Sequence, residues 1–156
     1  MDTAIIPTVD RLEGEMTRSF LDKGSVMSIG VLLDGTGRIV GAIPDAGDGL
    51  FSEALAESAR LRRAAAVFIS AEAWSAFERS GAPPGPRPSD RPDRREVVLS
   101  QVETATFART RVWPILRSGG SVRLGEMEEA RPRGGRLTDV LRRSTSSIWV
   151  PPGALG

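Results

Sequence analysis

The chain of 156 residues contains no cysteine, no histidine and no tyrosine. Without cysteine there is no disulfide framework and no thiolate nucleophile, and without histidine the His-based triads and ordinary zinc sites are excluded as well. The missing tyrosine removes the phenolic acid–base option. Lys23 is the only lysine. Any catalysis therefore falls to Asp, Glu, Ser, Thr, Arg and this one amine, or to Mg²⁺ held by carboxylates. That repertoire disfavours an enzyme without forbidding one, and no cofactor or metal is expected. No stretch approaches the roughly 18 apolar residues that suggest a membrane span, so no membrane association is expected. The N-terminal run MDTAIIPTVDRLEGEM carries early acids, not a basic region followed by an apolar core. The expectation is no secretory signal and a cytoplasmic protein of bacterial type.

What is present suits one globular domain, with 40% hydrophobic and 26% charged residues in a chain long enough to bury a sizeable core. The net charge of +1 argues neither for nor against a polyanionic partner, but the charges are divided unevenly. Residues 1–103 carry 12 basic against 16 acidic groups, and residues 104–156 carry 9 against 4. That layout permits an anionic partner near the C-terminal part without requiring one.

The chain is organised around Ala64 to Phe77, AAAVFISAEAWSAF. Val67, Phe68 and Ile69 form a short apolar run rich in β-branched and aromatic residues, which predicts a central strand from Ala64 to Ser70 buried on both faces. Glu72 and Trp74 follow two residues apart. If the strand continues they share a face; in a helical turn they diverge.

Before this strand, Thr8 is a candidate N-cap for a first helix, with Asp10 near its positive end. Val9, Leu12, Met16 and Phe20 mark the inward face, and Gly24 a left-handed stop. Val26 to Leu33 and Arg38 to Ile43 flank Asp34-Gly35-Thr36-Gly37 as a hairpin. Its glycines match neither a dinucleotide fingerprint nor a phosphate loop. Asp48 is placed to cap a second helix from about Leu50 to Arg63, with Leu50, Phe51, Ala54, Leu55 and Leu61 as its apolar stripe and Ser58 on the same face. Arg60, Arg62 and Arg63 in its last turn complement the helix dipole.

After it, five prolines and two glycines between Glu78 and Asp93 exclude a helix or central strand there. A surface excursion between neighbouring strands is expected over 78–93. Arg95 to Thr104, Thr106 to Leu116 and Ser121 to Leu124 then form a meander turned by Ser118-Gly119-Gly120, with Pro114 suggesting an edge or a strand end. Thr138 to Arg143 is a short helical segment. The expected fold is α+β: a mainly antiparallel sheet of about five or six strands with two main helices packed on it. It forms a single domain over residues 1–143, followed by a C-terminal tail over 144–156.

Two groups of residues are candidate sites. The excursion leaves the end of one strand and returns at the start of the next, which gathers Glu72, Trp74, Ser89, Asp93, Arg94, Arg95 and Glu96. One reading is a loop-closing network, with Glu72 paired to Arg94 or Arg95 and Asp93 or Ser89 capping backbone N–H groups. Another is a polar pocket beside Trp74 for a ligand or partner. A third makes Glu72, Asp93 and Glu96 acid, base or Mg²⁺ ligands. The second group is Arg109 and Arg111, alternating with Phe107 and Trp113 on one strand face. It is a possible anion site that would hold single-stranded nucleic acid if open, and solvated arginines around a packed Trp113 otherwise.

The order helix, hairpin, helix, strand and then PSDRPDRREVV resembles a family of small uncharacterised bacterial proteins that pair an EAW-like with a PSxxPDRxE-like stretch. Here these are Glu72-Ala73-Trp74 and Pro88-Ser89-Asp90-Arg91-Pro92-Asp93-Arg94-Arg95-Glu96. The resemblance covers most of the chain and implies no activity. The function expected is a non-catalytic protein-interaction or accessory module with an unidentified protein partner. The alternatives are a nucleic-acid-associated protein using the C-terminal arginines and a carboxylate-based Mg²⁺-dependent enzyme.

Overall fold

A computed structural model describes residues 3–75 and 95–130, with Trp74, Ser75 and Ala130 described by their backbone alone. The Pro-rich excursion at 78–93, Ser89, Asp93 and Arg94 within or beside it, the segment Thr138 to Arg143 and the tail at 144–156 lie outside the described residues.

The chain starts with helix α1 (Ile6–Lys23) and the hairpin strands β1 (Ile29–Leu33) and β2 (Ile39–Pro44), then helix α2 (Phe51–Leu61). The strands β3 (Ala66–Ser75), β4 (Arg95–Thr104), β5 (Ala108–Ser118), β6 (Ser121–Leu124) and β7 (Glu128–Ala130) follow. They build one antiparallel sheet in the order β2-β1-β3-β4-β5-β6, with β7 also pairing β5. The α+β expectation is met. The central strand is longer than its apolar run, because Glu72-Ala73-Trp74 continues the ladder, Glu72 opposite Val98 and Trp74 opposite Glu96. The short β7 was not anticipated.

β3 lies between β1 and β4 and is covered on both faces. Ala66 and Phe68 join Val31, Leu33, Val98 and Val102 under α1, where Ile5, Val9, Met16 and Phe20 close one core. Val67 and Ile69 point the other way and join Leu32, Leu55, Ala56 and Ala59 under α2. The two helices thus sit on opposite faces, as the two-residue period of a doubly buried strand demands.

Local signals fix most boundaries. Gly24 ends α1 in the left-handed conformation (φ 74°), its N–H donating to the Phe20 carbonyl at 2.7 Å. At the other end Thr8 is not the cap. The helix begins earlier, with Pro7 in its first turn and Ile5 buried at the N-cap, so Asp10 lies beyond the first turn. The Thr8 hydroxyl instead donates to the Gly37 carbonyl at 2.6 Å and ties α1 to the β1–β2 turn. Gly37 has φ 82°, and a Cβ there would run into the Ala4 carbonyl oxygen, so this turn needs glycine for two separate reasons.

α2 is rotated from the expected stripe. Its buried residues are Ser52, Leu55, Ala56 and Ala59, whereas Leu50, Ala54 and Leu61 face solvent. The reason lies in the sheet, where Gly30 leaves room that the Leu55 side chain fills and Ala56 and Ala59 allow close packing. Asp48 accepts from the Leu50 N–H at 3.0 Å in a turn before the helix and does not cap it. Pro114 is also not at an edge, since it pairs with Val97 inside β5. Its carbonyl accepts from Gly125 N–H at 2.7 Å, so its missing donor faces the gap between β6 and β7, where no ladder bond is lost.

Truncating Ile69, which is 1% exposed, to Ala is expected to cost about 2–5 kcal/mol in urea unfolding; an unchanged midpoint would refute its central place. In the β1–β2 turn, hydrogen bonds from the Thr36 hydroxyl and then from the Arg38 and Thr36 backbone hold the Asp34 carboxyl below its ordinary value of 3.8. The folded-state value is depressed. The stability this carboxylate contributes is therefore present above the ordinary carboxylate range and lost as the pH falls through the lowered value. An NMR titration should place the Asp34 midpoint below 3.8, and a midpoint at or above that value would contradict the turn geometry.

Candidate functional site

Register decides which polar side chains meet. Glu72 lies opposite Val98, and Val98 opposite Trp113; Ser70, Ser100 and Arg111 form the next row, and Phe68, Val102 and Arg109 the one after. Directly opposed residues share a face, so Arg109, Arg111 and Trp113 all stand on the α1 side of the sheet. That face is covered. Trp113 packs against the α1 core, and the two arginines run beneath the helix to Glu13.

Glu13 occupies the centre of the buried stripe of α1, between Val9 and Met16, with its side chain only 8% exposed. Its Oε1 accepts from the Ser100 hydroxyl at 2.8 Å and from Arg109 Nη2 at 3.2 Å, and its Oε2 accepts from Arg111 Nη1 at 2.9 Å. Arg111 Nε then donates to Glu129 Oε1 on β7 at 3.1 Å. The arginine side chains are 14% and 22% exposed. Burial works against the Arg111 charge, yet its hydrogen bonds to Glu13 and Glu129 outweigh that and raise its pKa above the ordinary arginine value. These are not solvated arginines, and an anion could reach them only by displacing Glu13. Glu13 is not among the residues that the apolar spacing of α1 singles out, although its neighbour Leu12 is. A carboxylate at helical spacing from Val9, Met16 and Phe20, in a chain with a strand alternating Arg-x-Arg, was the available signal.

The strand ends beyond the C-terminus of α1 are more open. Gly24, Glu72, Ala73, Glu96, Ile115 and Arg117 line a cleft of about 340 Å³. Arg117 Nε donates to Glu96 Oε2 at 2.8 Å. That bond and the charge of Glu96 raise the Arg117 pKa, and Glu72 adds a smaller pull in the same direction. Glu72 itself is exposed and makes no ion pair among the described residues. The pairing of Glu72 with Arg95 does not occur, and the period of the strand explains why. Arg95 is one residue from Glu96 and so stands on the opposite face, where it pairs with Glu128 at 2.7 Å.

Of the residues singled out in the sequence, the structure brings Glu72 and Glu96 together at the cleft and sends Arg95 to the other face. It buries Arg109 and Arg111 against Glu13. Trp74 is placed by its backbone alone, and Ser89, Asp93 and Arg94 lie outside the described residues. The premise behind the site holds: β3 and β4 are antiparallel neighbours, and Ser75 opposite Arg95 sets the two ends of the excursion side by side. Among the described residues no group of three or more acidic side chains is placed to hold a metal ion, and no helix is long and apolar enough to cross a membrane. Comparison with known proteins finds no matching family model, no matching curated protein and no matching solved structure.

Removing the shared acceptor should be severe. Glu13→Ala leaves two arginines buried without their partner and is expected to cost about 3–5 kcal/mol in urea unfolding, whereas Arg117→Ala at the exposed cleft should leave the midpoint unchanged. Equal midpoints for the two variants would show that the buried cluster contributes nothing to stability.

Proposed function

We propose that this chain is a non-catalytic interaction or accessory module that docks a protein partner at the cleft beyond the C-terminus of α1. One observation carries the reading: the Glu72 carboxylate faces that cleft, exposed and without an ion pair among the described residues, while Arg95, one of the two arginines expected to close the loop, points away. A carboxylate on a strand already fixed in a ladder offers a partner a charged hydrogen bond with less ordering cost than one on a free loop. Glu96 and Arg117, fixed to each other, supply an acceptor-and-donor pair beside it. Leu21 and Met27, three residues to either side of Gly24 in the chain, are exposed apolar side chains. Apolar contact next to a few oriented polar groups is the usual composition of a docking site.

The cluster with the strongest charges, Glu13 with Arg109 and Arg111, is paired internally and serves the fold. That favours recognition at the rim of the sheet over its covered face.

The test compares the full chain with Glu72→Gln. The variant should unfold at the wild-type urea concentration. Its capture of protein partners from the native host should fall roughly tenfold or more, as expected for loss of a charged hydrogen bond of about 1.5–3 kcal/mol. Binding that falls only in proportion to the folded fraction would return Glu72 to a structural role. Partners retained at the wild-type level would remove the cleft from the reading, and oligonucleotide binding with a steep salt dependence would replace it with the nucleic-acid alternative.

A further inference from the structure

The outer face of α2 is apolar where a solvated helix should be polar. Leu50, at the N-cap, is 52% exposed and Leu61, at the last turn, 67%, with the exposed Ala54 between them. At 100° per residue these three point directly away from the buried Ser52, Leu55, Ala56 and Ala59. With Glu57 they fall at positions 50, 54, 57 and 61, spaced alternately by four and three residues. That is the seam of a helix pair, a narrower stripe than the face a helix turns to its own core. The Glu57 carboxylate inside the seam is already bound by Arg60, at 2.6 Å.

The charges on this helix complement their own reverse. Glu53 lies in its first turn and Arg60 in its last, followed by Arg62 and Arg63. We propose that α2 pairs antiparallel with α2 of a second copy of this chain about a two-fold axis. In that arrangement Leu50 meets the partner's Leu61, and the small Ala54 lets the helices approach near the axis. Glu53 and Arg60 lie on the same flank seven residues apart. The two-fold therefore brings Glu53 to the partner's Arg60 and repeats the contact, as a self-complementary interface requires. Arg60 has donors to spare, since only its Nε and Nη2 are used on Glu57.

The neighbouring sheet edge does not compete for this role. β2 pairs only with β1 among the described residues, but its ladder is broken by a bulge at Val40, and Arg62 Nη1 donates to the Val40 carbonyl at 2.7 Å. A bulge and a capping cation are devices that discourage strand-to-strand pairing. Recognition on this side is left to the helix. The α2 seam and the Glu72 cleft lie on opposite faces of the sheet, so one copy can use both.

A seam of this length is at the low end of specific interfaces, and the dimer should be reversible and concentration-dependent. Sedimentation of the full chain should show the mass rising from 16.7 kDa towards twice that value as concentration increases. Leu61→Asp should hold the chain at the monomer mass while leaving its far-UV circular dichroism and its Glu72-dependent capture of partners unchanged. Glu53→Arg and Arg60→Glu should each weaken association, and the two together should restore it. The absence of native cysteine allows a direct geometric check. Ala54→Cys should form a disulfide-linked dimer under mild oxidation, and Arg11→Cys on the exposed face of α1 should not. A monomer at every concentration overturns the proposal, as does a dimer indifferent to Leu61→Asp or a double charge swap that fails to rescue.

Discussion

Strand β3 has to satisfy two cores at once. Phe68 turns towards α1, Val67 and Ile69 turn towards α2, and the pleat allows no other division. Every strand paired to β3 inherits that assignment, because residues directly opposed across a ladder share a face. A slip of one residue would drive Phe68 into the core built for Val67 and Ile69. It would also expose Ser100 and the arginines beside it to the wrong helix. The hairpin before β3 and the meander after it are therefore locked in register by a run of four residues, Ala66 to Ile69, none more than 2% exposed.

The Glu13 cluster follows from the same register. Rows of Ser70, Ser100 and Arg111 and of Phe68, Val102 and Arg109 put two guanidinium groups and a hydroxyl under α1. A carboxylate at the centre of the helix face is the group that can accept from all three. Replacing such a cluster by well-packed apolar residues is often neutral or stabilising, while breaking one partner is costly. Its contribution here is orientation. Glu13 binds donors on both β4 and β5, so α1 can neither rotate nor slide without leaving a buried charge uncompensated. Through Arg111 the constraint extends to Glu129 and holds β7 on the sheet.

With its strongest charges turned inward, the molecule leaves, among the described residues, two places that stand out for unfilled chemistry meeting solvent. One is the end of β3, where the backbone is paired with β4 and Glu72 faces a cleft. The other is the outside of α2, where leucines stand in water. Each is adjacent to a feature that closes off a competing use. Arg95 is held on the far face by Glu128, and Arg62 covers the carbonyl of the bulged edge strand.

Much of this was legible in the sequence. The doubly buried strand, the glycine stop after Phe20, the hairpin turn at Asp34 to Gly37, the Gly119-Gly120 turn and the strand from Arg95 to Thr104 all rest on interactions between residues close in the chain. Periodicity and turn chemistry report those directly. Apolar count was a poorer guide on α2, whose leucines at 50 and 61 looked like core. The helix instead buries Ala56 and Ala59, because only the sheet reveals the space left at Gly30. The pairing of Glu72 with Arg95 was excluded by a one-residue difference in register that no local pattern encodes, and the partnership of Glu13 with Arg109 and Arg111 spans almost the whole described chain. The sequence by itself determined the kinds of most elements and some of their ends, since those depend on backbone preference and spacing. Which charged side chains meet, and which face of each helix is buried, was decided by the tertiary structure, because both depend on how distant strands align.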